Sequence, residues 1–201
     1  EVVFPDGIED IGYDAFRFCF KLTFNRYEKC LYLGSADNEY AYLMKADYGE
    51  ENTPVHNDCK IIGRYAFNFD QRGTNALPSN RPLYTSIFLP SGVQSIGEGA
   101  FYECTELETA YLSESLTDIG DKAFRGCTSL KRVVVGDGLK VIGKYAFNGC
   151  LSLANMTIPD SVEEIGEGAF TNCKKLYTDD ETGYYVGTKS NKYAILIEGK
   201  N

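Results

Sequence analysis

The chain has 201 residues, a formal net charge of −9 and 43% hydrophobic residues, with no tryptophan and a single histidine. This length is sufficient for one sizeable hydrophobic core. The acidic balance leaves no basic face for a phosphate backbone, which disfavours nucleic-acid binding, and no run of about 18 apolar residues is available to span a membrane.

The first predicted element is a short motif at residues 11–19, in which Ile-Gly is followed by Ala-Phe and then by a cysteine. A copy without the cysteine starts at Ile62. Complete copies then recur at intervals of 23 residues. Their Ile-Gly pairs begin at Ile96, Ile119, Ile142 and Ile165. A fixed period of this length is typical of solenoid proteins.

Each repeat predicts one short strand and one helical turn. In the repeat that starts at Ile142, Met156 and Ile158 alternate with outward residues, as in a β-strand. Residues 143–150 place apolar side chains three and four apart over a stretch too short for an independent helix, so we predict a single helical or 3₁₀ turn. The glycine of each Ile-Gly pair predicts a positive φ or a close approach between coils. Because one unit alone buries too little surface, the units must stack.

A β-hairpin insertion is predicted at residues 23–60, between the first two copies of the motif. Two Tyr-rich apolar runs flank a polar stretch there. The pattern Tyr32-x-Gly34 recurs 153 residues later as Tyr185-x-Gly187. A second, incomplete hairpin insertion is therefore predicted at residues 177–201.

The interval between Ile62 and Ile96 is longer than one period, and the surplus residues are rich in Asn, Gly, Pro and Arg. We predict a surface loop insertion at residues 70–82. All these elements fit a single solenoid domain, residues 1–201. The second hairpin stops where the first begins its return and the chain starts without Met, so we expect a fragment of a longer protein.

The seven cysteines are predicted to be mainly small buried hydrophobic residues. Cys59 replaces a core aliphatic residue, and the other repeat cysteines share one apolar position: Cys19, Cys104, Cys127, Cys150 and Cys173. An odd number disfavours a ladder of disulfides, and no short C-x₂₋₄-C pair indicates zinc. Cys30 is the candidate for an exposed thiol.

The sequence contains no recognisable catalytic constellation or metal motif. His56 takes the position of a strand-end proline, which favours a structural role. The acidic run Asp179-Asp180-Glu181 lacks the spacing of a calcium loop and predicts a solvated loop. We therefore predict no catalytic residues, no metal, no cofactor and no enzymatic activity.

The outward side chains of the strand layer form the predicted binding face, because solenoids offer extended faces to partners. Its predicted ligand-binding residues are Ser86, Phe88, Thr109, Tyr111, Arg132, Val134, Asn155 and Thr157. Phe88, Tyr111 and Val134 would form an exposed apolar stripe about 5 Å apart per strand. The alternative is that this stripe only supports the pairing of neighbouring strands.

The repeats over residues 119–142 and 142–165 resemble the BspA-type leucine-rich repeat. The shared phrase is Ile-Gly-x-x-Ala-Phe-x-x-Cys-x-x-Leu-x-x-Val-x-Ile-Pro-x-x-Val-x-x-Ile. Together with the residue pattern, this resemblance predicts a β-rich α/β solenoid. The solenoid would be a right-handed leucine-rich-repeat stack with inserted hairpins. It also implies secretion or display on the bacterial surface, adhesion to host proteins or other cells, and no shared catalytic residues.

The expected function is that of a non-enzymatic cell-surface or secreted interaction and adhesion module. Its expected partner is a protein, such as a host matrix or mucosal protein, or a glycan, bound through the solenoid face. The alternative is a passive spacer or accessory domain of a larger secreted enzyme or toxin. The open ends of a solenoid expose strand edges, so end-to-end self-association is a further expectation.

Overall fold

The computed structural model describes residues 11, 24–28, 30–46, 55–68, 84–179, 183–188, 190 and 195–199. These residues form short strands and no helix, and so none of them forms an apolar helix of membrane-spanning length. In chain order the strands are β1 (Asn25–Tyr27), β2 (Cys30–Leu33), β3 (Tyr42–Ala46), β4 (Ile61–Ile62), β5 (Ser86–Phe88), β6 (Ser95–Ile96), β7 (Thr109–Tyr111), β8 (Asp118–Ile119), β9 (Arg132–Val134), β10 (Val141–Ile142), β11 (Glu164–Ile165), β12 (Thr178–Asp179), β13 (Gly183–Val186) and β14 (Ile195–Gly199).

The coils stack as a β-solenoid, and the coils that contain β5, β7 and β9 each contribute two strands rather than the single predicted one. β5, β7 and β9 form a parallel sheet of three-residue strands. The isoleucines of the Ile-Gly pairs lie on a second run of parallel strands, in the order β4-β6-β8-β10-β11. These strands have only two residues each, which is too short to show the alternation that identifies a strand in a sequence.

The prediction of a helical turn in each repeat is wrong, because the segment around Ala-Phe is a series of tight turns. Every second amide bonds within its own coil, as from Ala123 to Gly120 O at 3.2 Å. The amides between them bond to the next coil, as from Phe124 N to Ala146 O at 2.7 Å. A helix would direct all of these amides along its own axis, and none would remain for the neighbouring coil.

Two positions in each of these turns adopt the left-handed conformation. One precedes Ala-Phe and the other precedes the cysteine, as for Lys122 (φ 56°) and Gly126 (φ 76°). Non-glycine residues occupy several of these positions, such as Tyr145 with φ 55°. Left-handed residues interrupt a right-handed helix, which explains why the apolar spacing of three and four does not produce one.

The glycine of the Ile-Gly pair permits close approach between coils. A Cβ on Gly97 would lie 2.9 Å from the backbone nitrogen of Arg64, and one on Gly120 would lie 2.8 Å from that of Glu98. These glycines do not have positive φ. Of the two roles that the sequence predicts, close approach is therefore the correct one.

A row of phenylalanine rings runs through the centre of the solenoid. The centroids of Phe101 and Phe124 are 4.8 Å apart, those of Phe124 and Phe147 are 5.2 Å apart, and those of Phe147 and Phe170 are 5.5 Å apart. The rings are nearly parallel and almost completely buried. Phe67 extends the row with a centroid distance of 4.5 Å to Phe101. Each ring therefore packs mainly against its equivalents in the adjacent coils.

The first hairpin enters the solenoid sheet. β2 and β3 are antiparallel, and β1 pairs with the outer side of β2. β3 then runs parallel to β4, with Tyr42 opposite Ile61 and Leu43 opposite Ile62. β3 therefore occupies the position beside β4 that the Ile-Gly strand of a preceding coil would have.

The second hairpin forms a separate antiparallel sheet, β12-β13-β14, beside the last described coil. Thr188 makes a bridge with Ile158, and the Ser190 hydroxyl donates to Asp160 Oδ1 at 2.8 Å. Val186 is buried against the main core. The loop predicted at 70–82 and Cys19 lie outside the described residues.

Replacing Phe147 with alanine is expected to lower the free energy of unfolding by about 3 to 5 kcal/mol, because the ring is fully buried between two others. Phe88→Ala is the matched control, since Phe88 is 56% exposed and should cost less than about 1 kcal/mol. Urea unfolding followed by circular dichroism measures both. Equal losses of unfolding free energy in the two variants would contradict the burial of the phenylalanine row.

Candidate interaction face

The outer face of the sheet β5-β7-β9 brings the predicted face residues together. Parallel pairing sets Ser86, Thr109 and Arg132 in one column and Phe88, Tyr111 and Val134 in the next. Asn155 continues the first column through a bridge with Arg132. Thr157 is exposed on the following coil. None of the eight side chains is buried, so the structure places all of them outside the core.

The alternation along these strands orients the face. Ile87, Ala110 and Val133 are at most 3% exposed and point into the core. Because successive residues of a strand point to opposite sides, the residues before and after each of them point outward. The outward position of the six side chains on β5, β7 and β9 thus follows from the burial of the central residue of each strand.

Phe88 is the most exposed large apolar residue among those that the structure describes. Its ring stacks on that of Tyr111, with centroids 4.6 Å apart and planes inclined by 8°. This cross-strand contact also stabilises the sheet. The stacked pair therefore contributes to strand pairing and also leaves an apolar surface exposed.

The polar column beside the stripe carries an exposed cation. The Arg132 side chain is exposed, and no carboxylate of the described residues lies within ion-pair distance of it. The adjacent Lys131, in contrast, pairs with Glu108 at 2.7 Å. An arginine beside aromatic rings is a frequent feature of protein-binding surfaces.

A second aromatic cluster, which the sequence did not predict, surrounds His56 at the first hairpin. The His56 ring stacks on Tyr40 at 4.0 Å and contacts the edge of Tyr27 at 4.7 Å. Its backbone amide donates to the Tyr32 hydroxyl at 3.0 Å, and Nδ1 accepts from the amide of Asp58 at 3.2 Å. The Tyr-rich composition of the hairpin is the sequence feature that could have indicated this aromatic cluster. The structural role predicted for His56 agrees with these contacts.

The repeat cysteines form a column of thiol donors between coils. Cys127, Cys150 and Cys173 donate to the carbonyl oxygens of Phe101, Phe124 and Phe147 at 3.1, 3.1 and 3.0 Å. At the last described coil the Tyr177 hydroxyl donates to Phe170 O at 2.7 Å. In the preceding coils the equivalent phenylalanine carbonyl accepts from the cysteine of the next coil. The Tyr177 hydroxyl takes the place of that thiol as the donor.

Burial favours the protonated form of the Cys59 and Cys127 thiols. Desolvation raises the pKa of the Cys59 thiol to about 12 and that of Cys127 well above its usual value. For Cys150 a hydrogen bond with Cys173 raises the pKa first, and burial adds to it. Cys30, the first residue of β2 in the first hairpin, is fully buried, so the prediction of an exposed thiol there is wrong.

The described residues offer no assembled site for metal chemistry. Nowhere in the described part of the chain do three histidine, cysteine or acidic side chains gather as metal ligands would. Asp180 and Glu181 of the predicted acidic loop lie outside the described residues. The two assembled features are thus the aromatic outer face and the cluster at the hairpin.

Comparison with known proteins agrees with this geometry. A family model described as BspA type leucine rich repeat region matches residues 50–177 in six copies. No curated protein matches the chain. The match covers more than half of the sequence, including all the coils that build the outer face.

Several solved structures are similar to this chain. A leucine-rich repeat protein of T. pallidum is 26% identical with a TM-score of 0.64, over 77% of this chain and 69% of that one. A leucine-rich repeat protein of Bacteroides ovatus is 28% identical with a TM-score of 0.52, over 77% and 37%. The pneumococcal vaccine antigen PcpA is 23% identical with a TM-score of 0.60, over 83% and 43%, which indicates a common fold. The chain spans less than half of the length of the Bacteroides ovatus protein and of PcpA.

Thiol labelling at pH 8 tests the burial of the cysteines. Because thiolates are the reactive form and burial suppresses them, no more than about two of the seven thiols should react in the folded protein. All seven should react in denaturant. Thr157→Cys, at an exposed position, should add one rapidly reacting thiol. Rapid labelling of four or more thiols in the folded wild-type protein would contradict the buried column.

Proposed function

The chain belongs to the BspA-type leucine-rich repeat family, and we propose that it is a non-enzymatic interaction and adhesion module that binds a partner protein through the outer face of β5-β7-β9. Proteins with this repeat and this solenoid fold are typically non-enzymatic, which supports the proposal. The family also supports a surface or extracellular location.

The single observation that carries the proposal is the exposed stack of Phe88 on Tyr111. Large aromatic side chains are usually withdrawn from water, and at 56% exposure Phe88 keeps much of its apolar surface accessible. The strands beneath are fixed by backbone pairing and by buried side chains. Little side-chain freedom is therefore lost when a partner covers the stack, which favours binding.

The surrounding polar groups support a protein partner. Arg132 adds a charge without a described counter-ion, and Thr109 and Asn155 offer hydrogen-bonding groups in the same column. An aromatic centre with a polar border is the arrangement found at many protein interfaces. A host matrix or mucosal protein is the class of partner that we propose, with a glycan as the alternative.

Replacing both aromatic residues, as Phe88→Ser with Tyr111→Ser, should weaken partner capture at least about tenfold while the fold is kept. Leu151→Ser is the matched control, because Leu151 is 54% exposed but lies in a turn outside the strands of the face. Surface-bound matrix proteins, mucins and glycans serve as probes, and circular dichroism monitors folding.

Unchanged capture by a folded double variant would remove the face from the proposal. Capture of no probe by the wild-type protein would favour the passive spacer instead. Equal loss in the double variant and in Leu151→Ser would indicate a general effect of surface apolarity rather than a defined site.

A further inference from the structure

The outer face of β5-β7-β9 differs in charge from the rest of the molecule. The chain as a whole has a formal net charge of −9. Among the eight residues of the face, only Arg132 is a lysine, arginine, aspartate or glutamate, and its side chain is exposed. The face is therefore a locally positive surface on an acidic molecule. At physiological ionic strength distant charges are screened within about 8 Å, so a bound group responds mainly to this local charge.

The charged residues nearest to Arg132 along the coils pair with each other. Lys131 precedes Arg132 on the same coil, and its Nζ lies 2.7 Å from Oε1 of Glu108 on the preceding coil. The amide of Arg132 donates to the backbone oxygen of the same glutamate at 3.2 Å, which places this ion pair beside the arginine. Because Lys131 takes up the Glu108 carboxylate, the Arg132 guanidinium can receive a carboxylate from a partner.

Acidic side chains lie beyond the other end of the strands. Glu114 and Asp137 are exposed in the turns that follow β7 and β9, three residues after Tyr111 and Val134. Both would repel a carboxylate of a partner, whereas Arg132 attracts one. The charge pattern therefore restricts an acidic group of a bound segment to the Arg132 end of the apolar stripe.

The stacked rings are compatible with an acidic group at their border. Phe88 and Tyr111 turn their faces toward each other, with planes inclined by 8°. Because side chains stand roughly perpendicular to a sheet, stacked rings on neighbouring strands direct their edges outward. Ring edges carry the positive part of the aromatic quadrupole. The outward surface thus favours a negative group, and it offers a sugar ring less flat aromatic surface than two separate rings would.

The distance between Arg132 and the stack defines the spacing of groups in a bound segment. Arg132 lies two residues before Val134 on β9, and Val134 is opposite Tyr111. With about 4.8 Å between strands and about 3.3 Å per residue, the Cα atoms of Arg132 and Tyr111 are roughly 8 Å apart. An extended peptide covers about 7 Å in two residues. An acidic residue two positions from an apolar one can therefore reach both features.

We propose that the outer face recognises an extended segment of a partner protein in which an acidic residue lies two positions from an apolar one, an inference that rests on the proposed function of this face. The apolar side chain covers the stack of Phe88 on Tyr111, and the carboxylate accepts hydrogen bonds from the Arg132 guanidinium. A planar guanidinium offers a carboxylate two parallel N–H donors, which an ammonium group does not. Arg132 is thus the residue that selects the charge of the partner.

Selection from a displayed library of random heptapeptides tests the proposal without a known partner. The wild-type chain should enrich peptides with Asp or Glu two positions from an aromatic or aliphatic residue. Arg132→Glu should enrich Lys or Arg at that position instead, because this change reverses the charge that the peptide meets. Circular dichroism checks that each variant is folded.

The affinities of the enriched acidic peptides, measured by fluorescence polarisation, give the size of the effect. Arg132→Gln should weaken binding about tenfold or more, and Arg132→Lys should restore part of the loss. Lys144→Gln is the matched control, because it changes the net charge equally at an exposed turn residue outside the face. It should change the affinity less than about twofold. Equal losses in Arg132→Gln and Lys144→Gln would indicate a general effect of net charge and would overturn the proposal.

The outcome of the selection also separates this proposal from the proposed function. Enriched peptides without an acidic preference, or with the same preference in Arg132→Glu, would overturn the role of Arg132 and leave binding by the face in place. If no peptide is enriched, recognition of an extended segment is overturned, and the proposed function is decided by the capture of matrix proteins alone. Retention on sialylated glycans that Arg132→Gln abolishes, without any enriched peptide, would assign the carboxylate to a glycan and contradict the peptide segment.

Discussion

The structure depends on one constraint: about half of the amides in each turn find their acceptors only in the coil beside it. Alternate amides around Ala-Phe point to the neighbour, as from Phe101 N to Ala123 O at 2.7 Å. The thiol of Cys127 bonds to Phe101 O between the same two coils. Removing one coil would leave buried polar groups without partners, and each would cost about 1 to 3 kcal/mol. Stability is therefore a property of neighbouring pairs.

Much of this architecture could be predicted from the sequence. The 23-residue interval, the row of phenylalanines and the outward position of Phe88 follow from period and alternation alone. The two-residue strands and the left-handed turns could not be predicted. Asp118–Ile119 is too short to alternate, and Lys122 adopts a positive φ without being glycine. Inward side chains three and four apart have the same spacing in a helix as in these turns, so the pattern alone does not distinguish them.

The parts of the candidate site that depend on the repeat register could be predicted. The parts that depend on the insertions could not. The columns of the face were placed by counting along the strands. The contacts of His56 with Tyr40 arise in an insertion that the 23-residue repeat does not align, and Cys30, which was predicted to be exposed, lies in the same insertion. Strand β3 of the hairpin continues the sheet that contains β4. An insertion can thus extend a sheet of a regular solenoid.

Residue-resolved native-state hydrogen exchange of the intact chain tests the central constraint most directly. The amides of Phe101, Phe124 and Phe147 bond to the next coil. We predict strong protection at all three, with an opening free energy close to that of global unfolding, because each bond opens only when two coils separate. Fast exchange at these amides, as in turns that are stabilised only within themselves, would contradict the account.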